Sequence, residues 1–141
     1  MPVFGKYGRY PHMIGIEVDI WDRFLDEHKD EYDRFDYDVH VGKPPKGIEK
    51  YPPEIRLAVL ATHLFRIDVV GWQGEVPTIF EVKEYASCTA IGQVLTYAYL
   101  FVRDKKPKAI PKLAIVTDYC EEDIKEVAKH YGIKVYEVGR I

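Results

Sequence analysis

The stretch from Phe65 to Glu84, FRIDVVGWQGEVPTIFEVKE, constrains the fold more than any other part of the chain. Two runs rich in Val, Ile and Phe flank the turn-forming GWQGEVP, which is the pattern of a β-hairpin. The residues that follow alternate between elements. TAIGQVLTYAYLFVRD has helical spacing, with Ile91, Leu95 and Tyr99 on one line and Val94, Ala98 and Phe101 on another. PKLAIVTD is a short buried strand, EEDIKEVAKHYG a helix opened by acids and stopped at Gly132, and IKVYEV a last strand. A hairpin requires antiparallel pairing, whereas strand–helix–strand–helix–strand requires parallel pairing with right-handed crossovers. Together they dictate an α/β fold with a central mixed sheet flanked by helices.

Upstream, residues 12–32 carry Met13, Ile16, Ile20, Trp21, Phe24 and Leu25 at spacings of three and four, which predicts an amphipathic helix. FDYDVHV, residues 35–41, alternates as a strand with Phe35, Tyr37, Val39 and Val41 inward. GKPPKGIEKYPP is a loop, and its lysines are either solvated or available to phosphates. EIRLAVLATHL is read as a helix because Pro53 suits a first helical position. The N-terminal Gly5, Lys6, Gly8 and Arg9 are expected to form a frayed end, or a basic arm.

At 141 residues, 1–141 form one domain with one core. No run of about 18 apolar residues and no signal-peptide core occurs, so no membrane span is expected and a cytoplasmic location is. Cys88 and Cys120 are too far apart for a zinc knuckle and are expected to be core thiols. The five histidines show no metal-binding spacing, the lone Ser87 has no hydrolase context, and no Walker or dinucleotide loop is present. The net charge of −3 requires any nucleic-acid surface to be a local basic patch. Asn is absent and Gln73 and Gln93 are the only glutamines, a composition that suits a thermophile.

Several charges break the apolar pattern. Glu81 and Lys83 lie two apart in a strand and so point the same way. In LFRIDVV, Phe65, Ile67 and Val69 share one face, leaving Asp68 on the other with Leu64, Arg66 and Val70. The hairpin can set Asp68 beside Glu81. Glu17 falls within the apolar stripe of the first helix, where a carboxylate needs a partner. One account is an ordinary solvated face of Arg66, Asp68, Glu81 and Lys83, or a buried ion network of Glu17, Arg66, Glu81 and Lys83. The other is that Glu17, Asp68 and Glu81 converge on a cation. Hard oxygen ligands favour Mg²⁺ or Mn²⁺, which can polarise a phosphodiester and activate water, while Lys83 orients that water or stabilises phosphorane charge.

Asp68 in RID, Glu81-x-Lys83 in EVK and Gln93-xxx-Tyr97 in GQVLTY resemble the PD-(D/E)XK nuclease superfamily, in particular the RecB-like and NucS-like branch with a Q-x-x-x-Y helix motif. The first motif departs from it, with Ile67 before Asp68 where the family has Pro. The resemblance implies a restriction-endonuclease-like three-layer α/β/α fold. It implies that Asp68, Glu81 and the Val82 carbonyl ligate the metal, that Glu17 completes the shell, that Lys83 is the catalytic lysine, and that Gln93 and Tyr97 position substrate or water. The function implied is a Mg²⁺- or Mn²⁺-dependent nuclease acting on nucleic acid, DNA in preference to RNA, with a homodimer admitted. The alternatives are an inactive nuclease-fold module for nucleic-acid binding or assembly, and a Holliday-junction-resolvase-type endonuclease. Abundant tyrosine is ascribed to packing, with Tyr7, Tyr10 and Tyr85 the ones able to stack on bases.

Overall fold

The computed structural model describes residues 4–63 and 65–139, without the side chains of 61–63; Leu64 lies outside the described residues. The hairpin is its centre. Strand β4 (Phe65–Gln73) pairs antiparallel with β5 (Val76–Ala86), and Gln73 faces Val76 across a turn of Gly74 and Glu75. Gly74 has φ 59°, a conformation that glycine adopts without cost, and Asp33 Oδ2 accepts its N–H at 2.6 Å. The strands run closer to the turn than GWQGEVP suggests, because Trp72 and Pro77 already belong to the ladder.

On one side of the hairpin β3 (Arg34–Val41) pairs antiparallel with β4; on the other β6 (Lys112–Cys120) and β7 (Ile133–Glu137) continue in parallel. The order β3-β4-β5-β6-β7 is the expected mixed sheet. Helix α1 (Gly15–His28) covers one face, where Val18, Trp21, Phe24 and Leu25 meet Val69, Phe80, Val82, Ala114 and Val116. The crossover helices α3 (Cys88–Lys105) and α4 (Glu122–His130) cover the other, with Ala90, Ile91, Val94 and Ala128 against Ile115 and Ile133. Helix α2 (Pro53–His63) begins at Pro53 as expected, and leaves Ile55 and Leu57 exposed. No helix among the described residues is long and apolar enough to cross a membrane.

Four expectations are corrected. The first helix is shorter than 12–32: His12 has φ 65°, Ile14 is extended, and residues 29–31 tighten into a 3₁₀ turn beside the His28–Glu31 contact. The N-terminal segment pairs as strands β1 (Phe4–Gly5) and β2 (Gly8–Arg9), tied to α1 by the Tyr10 hydroxyl donating to Asp22 Oδ1 at 2.7 Å. Tyr10 is therefore core, 1% exposed, and has no face left for a base. Cys120 is buried but Cys88 is exposed, since it starts α3 at the surface.

The fourth correction concerns strand alternation. Phe35 and Tyr37 pack on the α1 side, yet Val39 and Val41 join the cluster of Val70, Ile79 and Phe101 on the α3 side. Asp38, between them, has φ 53°, and this left-handed residue reverses the alternation. On β4, Ile67 joins the α3 side while Val69 stays with α1, so Phe65, Ile67 and Val69 do not share a face. Asp38 and Asp68 occupy the same level of their strands, between the pairs Tyr37–Val69 and Val39–Ile67.

Candidate active site

The β4–β5 ladder runs from Gln73–Val76 to Val69–Phe80. Beyond it, the backbone N–H of Val82 donates to the Asp68 carboxylate, Oδ2, at 2.9 Å. The side chain of Asp68 thus stands between the two strands where they diverge and satisfies a strand donor.

Glu81 is level with this point. It is 3% exposed, lies on the α3 side with Ile79, and has Lys83 two residues on. The Lys83 Nζ is 3.6 Å from Glu81 Oε1, and a third of the lysine side chain reaches solvent. The other oxygen, Glu81 Oε2, is buried without a hydrogen-bond partner. Burial pushes both carboxyls above the usual carboxylate range. The negative charge of Asp68 raises Glu81 further, and Lys83 opposes the rise; the Val82 N–H holds Asp68 down, and the charge of Glu17 raises it. Two carboxyls in one dry site cannot both ionise cheaply, so without a cation they hold a proton between them at neutral pH.

Helix α3 supplies the far wall. Gln93 and Tyr97, four apart, lie one above the other. Gln93 Oε1 is buried with no hydrogen-bond partner. The Tyr97 phenol is pushed up by burial first and then by the negative charge of Glu81, and Gln93 stands within hydrogen-bonding reach of it. Its ring is 6.0 Å from that of Phe65. The α3 helix is set in place by Ser87, whose Oγ accepts the Thr89 N–H at 3.3 Å.

Five expected side chains therefore gather: Asp68, Glu81, Lys83, Gln93 and Tyr97. Glu17 does not join them closely. It sits in the first turn of α1, not mid-helix, and its Oε1 accepts the Ile14 N–H at 3.1 Å, as a capping glutamate does. Its charge still reaches Asp68. Among the described residues no three His, Cys, Asp or Glu side chains converge so as to hold a metal ion. Of the expected ion network, Glu81 and Lys83 pair, while Glu17 is engaged at the start of α1. Arg66 instead meets the His12 ring at 2.8 Å, and His12 Nε2 lies 3.1 Å from Asp38 Oδ2. This His12–Asp38 contact beside the site has no mark in the sequence, because the register of β3 on β4 creates it.

Comparison with known proteins finds no matching family model, no matching curated protein and no matching solved structure.

Proposed function

We propose that the chain is a Mg²⁺- or Mn²⁺-dependent nuclease of the restriction-endonuclease-like fold, hydrolysing phosphodiester bonds in DNA. The observation that carries this reading is the pair of half-buried Asp68 and buried Glu81 at the divergence of two strands, with Lys83 beside it and one Glu81 carboxylate oxygen unpartnered.

The donor set fits a hard cation. Two carboxylates and the Val82 carbonyl are oxygen ligands, Glu81 Oε2 lacks a partner, and the raised carboxyls mark a site short of positive charge. Magnesium characteristically takes one or two carboxylates and fills its other positions with water and substrate phosphate, so a third acidic side chain is not required. Asp68, Glu81 and the Val82 carbonyl would hold the ion; Glu17, engaged at the N-terminus of α1, would contribute charge from outside. When bound, a cation there would act as Lewis acid toward a phosphodiester and lower the pKa of water.

The chain's own groups do the rest. Lys83 donates toward a phosphate oxygen or orients the attacking water, since its ammonium stands between the buried Glu81 and solvent. Tyr97, held protonated, donates a hydrogen bond, and the orphaned Gln93 Oε1 accepts one. The phenol and the amide thereby fix a water or substrate group against the carboxylates.

The test is cleavage of single-stranded, duplex, flap and four-way DNA with Mg²⁺, Mn²⁺ or EDTA. The chain should cut at least one substrate only with metal, and Lys83→Ala should lower cutting by about 10²-fold or more while the circular dichroism stays native. Undiminished metal-dependent cutting by Lys83→Ala would refute the role of the lysine. The non-catalytic module is the reading favoured by the absence, among the described residues, of a third metal-ligating side chain. Titration with Mn²⁺ separates the two, because an inert module gives no heat that depends on Asp68 or Glu81.

A further inference from the structure

A second polar niche lies on the opposite face of the sheet from Glu81. Thr78 precedes Glu81 by three residues and shares its face with Phe80, on the α1 side. The parallel register sets Thr78 beside Lys112, and Ala114 beside both Phe80 and Lys134. Thr78, Lys112, Ala114, Lys134 and Tyr136 therefore all stand on the α1 face, with the Tyr136 ring against Phe24 and His28 near the end of that helix. The small Ala114 and Thr78 leave the floor open. A cavity of about 470 Å³ results, walled by Tyr32, Pro111, Leu113 and Tyr136.

Its polar groups are arranged for an anion. Among the described residues, neither Lys112 nor Lys134 has a carboxylate partner. Lys134 Nζ lies over the Tyr136 ring at 4.8 Å, and Lys112 Nζ is 3.5 Å from Gln73 Oε1. The Gln73 amide nitrogen is in turn tied to the Glu31 carbonyl at 3.1 Å. Gln73, one of two glutamines in the chain, thus orients a lysine over the niche. The carboxylate of Glu31, which also lines the cavity, is taken up by His28 at 2.6 Å. Thr78 is 4% exposed, and its hydroxyl, without a hydrogen bond of good geometry, faces the Tyr32 phenol within hydrogen-bonding reach. A ligand oxygen would complete the hydrogen bonding of this buried hydroxyl.

We propose that this niche binds a small organic phosphate monoester. The two ammonium groups and the hydroxyls of Thr78 and Tyr32 take the phosphate oxygens. Pro111 and the Tyr136 ring take the organic body, which the volume requires, being well beyond a bare anion and within the range of ligand pockets. The niche is independent of the carboxylate pair and stands whether or not that pair is catalytic.

Calorimetry on the full chain in EDTA tests it, with adenosine 5′-monophosphate, inorganic phosphate and adenosine as probes. The monophosphate should bind at least about tenfold more tightly than adenosine, with inorganic phosphate between them. Lys112→Ala with Lys134→Ala should weaken the monophosphate by about tenfold or more, Thr78→Val should weaken it less, and Asp68→Asn should leave it unchanged. Inorganic phosphate binding as tightly as the monophosphate would remove the organic body from the proposal. The proposal fails if the monophosphate gives no heat at millimolar concentration, if adenosine binds equally well, if the double-lysine variant binds like the wild type, or if Asp68→Asn abolishes binding.

Discussion

Glu81 stands in an environment that disfavours its own charge. With 3% of its surface exposed and Asp68 adjacent, its carboxyl is held mainly protonated until pH has risen well beyond the ordinary carboxylate range. A folded-state pKa raised above the unfolded value stabilises the fold at low pH, and that stability is lost as pH rises through the raised value. In EDTA, therefore, the difference in stability between Glu81→Gln and wild type should grow in favour of the variant as pH rises from the ordinary carboxylate range into the alkaline range. Its size should reach on the order of 2 kcal/mol. Thermal melts of both proteins across pH measure it, and a constant difference would show that the glutamate is ionised throughout. The same variant should lose the Mn²⁺ binding heat expected of the wild type in calorimetric titration. Asp68, Glu81 and Lys83 were legible in the sequence because their spacing conflicts with a buried strand. Glu17 was misplaced, since periodicity fixes the face of a helix but not the turn at which the helix starts.

At the scale of elements, the antiparallel and parallel senses of β4 to β7 were legible in composition and spacing, because a hairpin and two crossovers fix them; the order of the strands in the sheet was not. Nor was the break in β3 and β4. A period-2 pattern presumes unbroken extended backbone, and a single left-handed residue such as Asp38 reverses it while leaving the amino-acid pattern unchanged. The N-terminal hairpin was hidden for a related reason: its anchor is the long-range Tyr10–Asp22 bond, not a local signal. Helix α3 offers a test of how an element positions the site. Ser87 caps it, and Gln93 lies in the second turn. Ser87→Ala should cost about 1 kcal/mol in urea denaturation. An unchanged midpoint would mean that packing of Ala90, Ile91 and Val94 fixes the start of α3 without the cap.

The whole molecule is built around an aromatic core whose packing leaves little slack. Trp21 stacks on Phe24 at 4.9 Å, meets Phe35 and Phe80 edge-on, and donates its Nε1–H to the Tyr37 hydroxyl at 3.0 Å. A Cβ on Gly71 would stand 2.9 Å from both Phe80 and Tyr32, so Gly71→Ala should destabilise by about 1–3 kcal/mol. Around this core, charged pairs tie one element to another: Arg23 of α1 to Asp118 of β6, and Lys125 of α4 to Glu137 of β7. Such pairs gain relative to hydrophobic burial as temperature rises, because the cost of removing ions from water falls. Joined to a chain without Asn, they lead to the expectation that the thermal midpoint lies above the roughly 45–65 °C of mesophilic domains. The cross-element pairs should also make that midpoint fall between low salt and about 1 M salt, where screening shortens to a few ångströms. Calorimetry at the two ionic strengths measures both. A midpoint inside the mesophilic range would remove the thermophilic reading. A high midpoint indifferent to salt would assign the stability to the aromatic core, in which case Gly71→Ala should lower it more than replacement of Arg23 does.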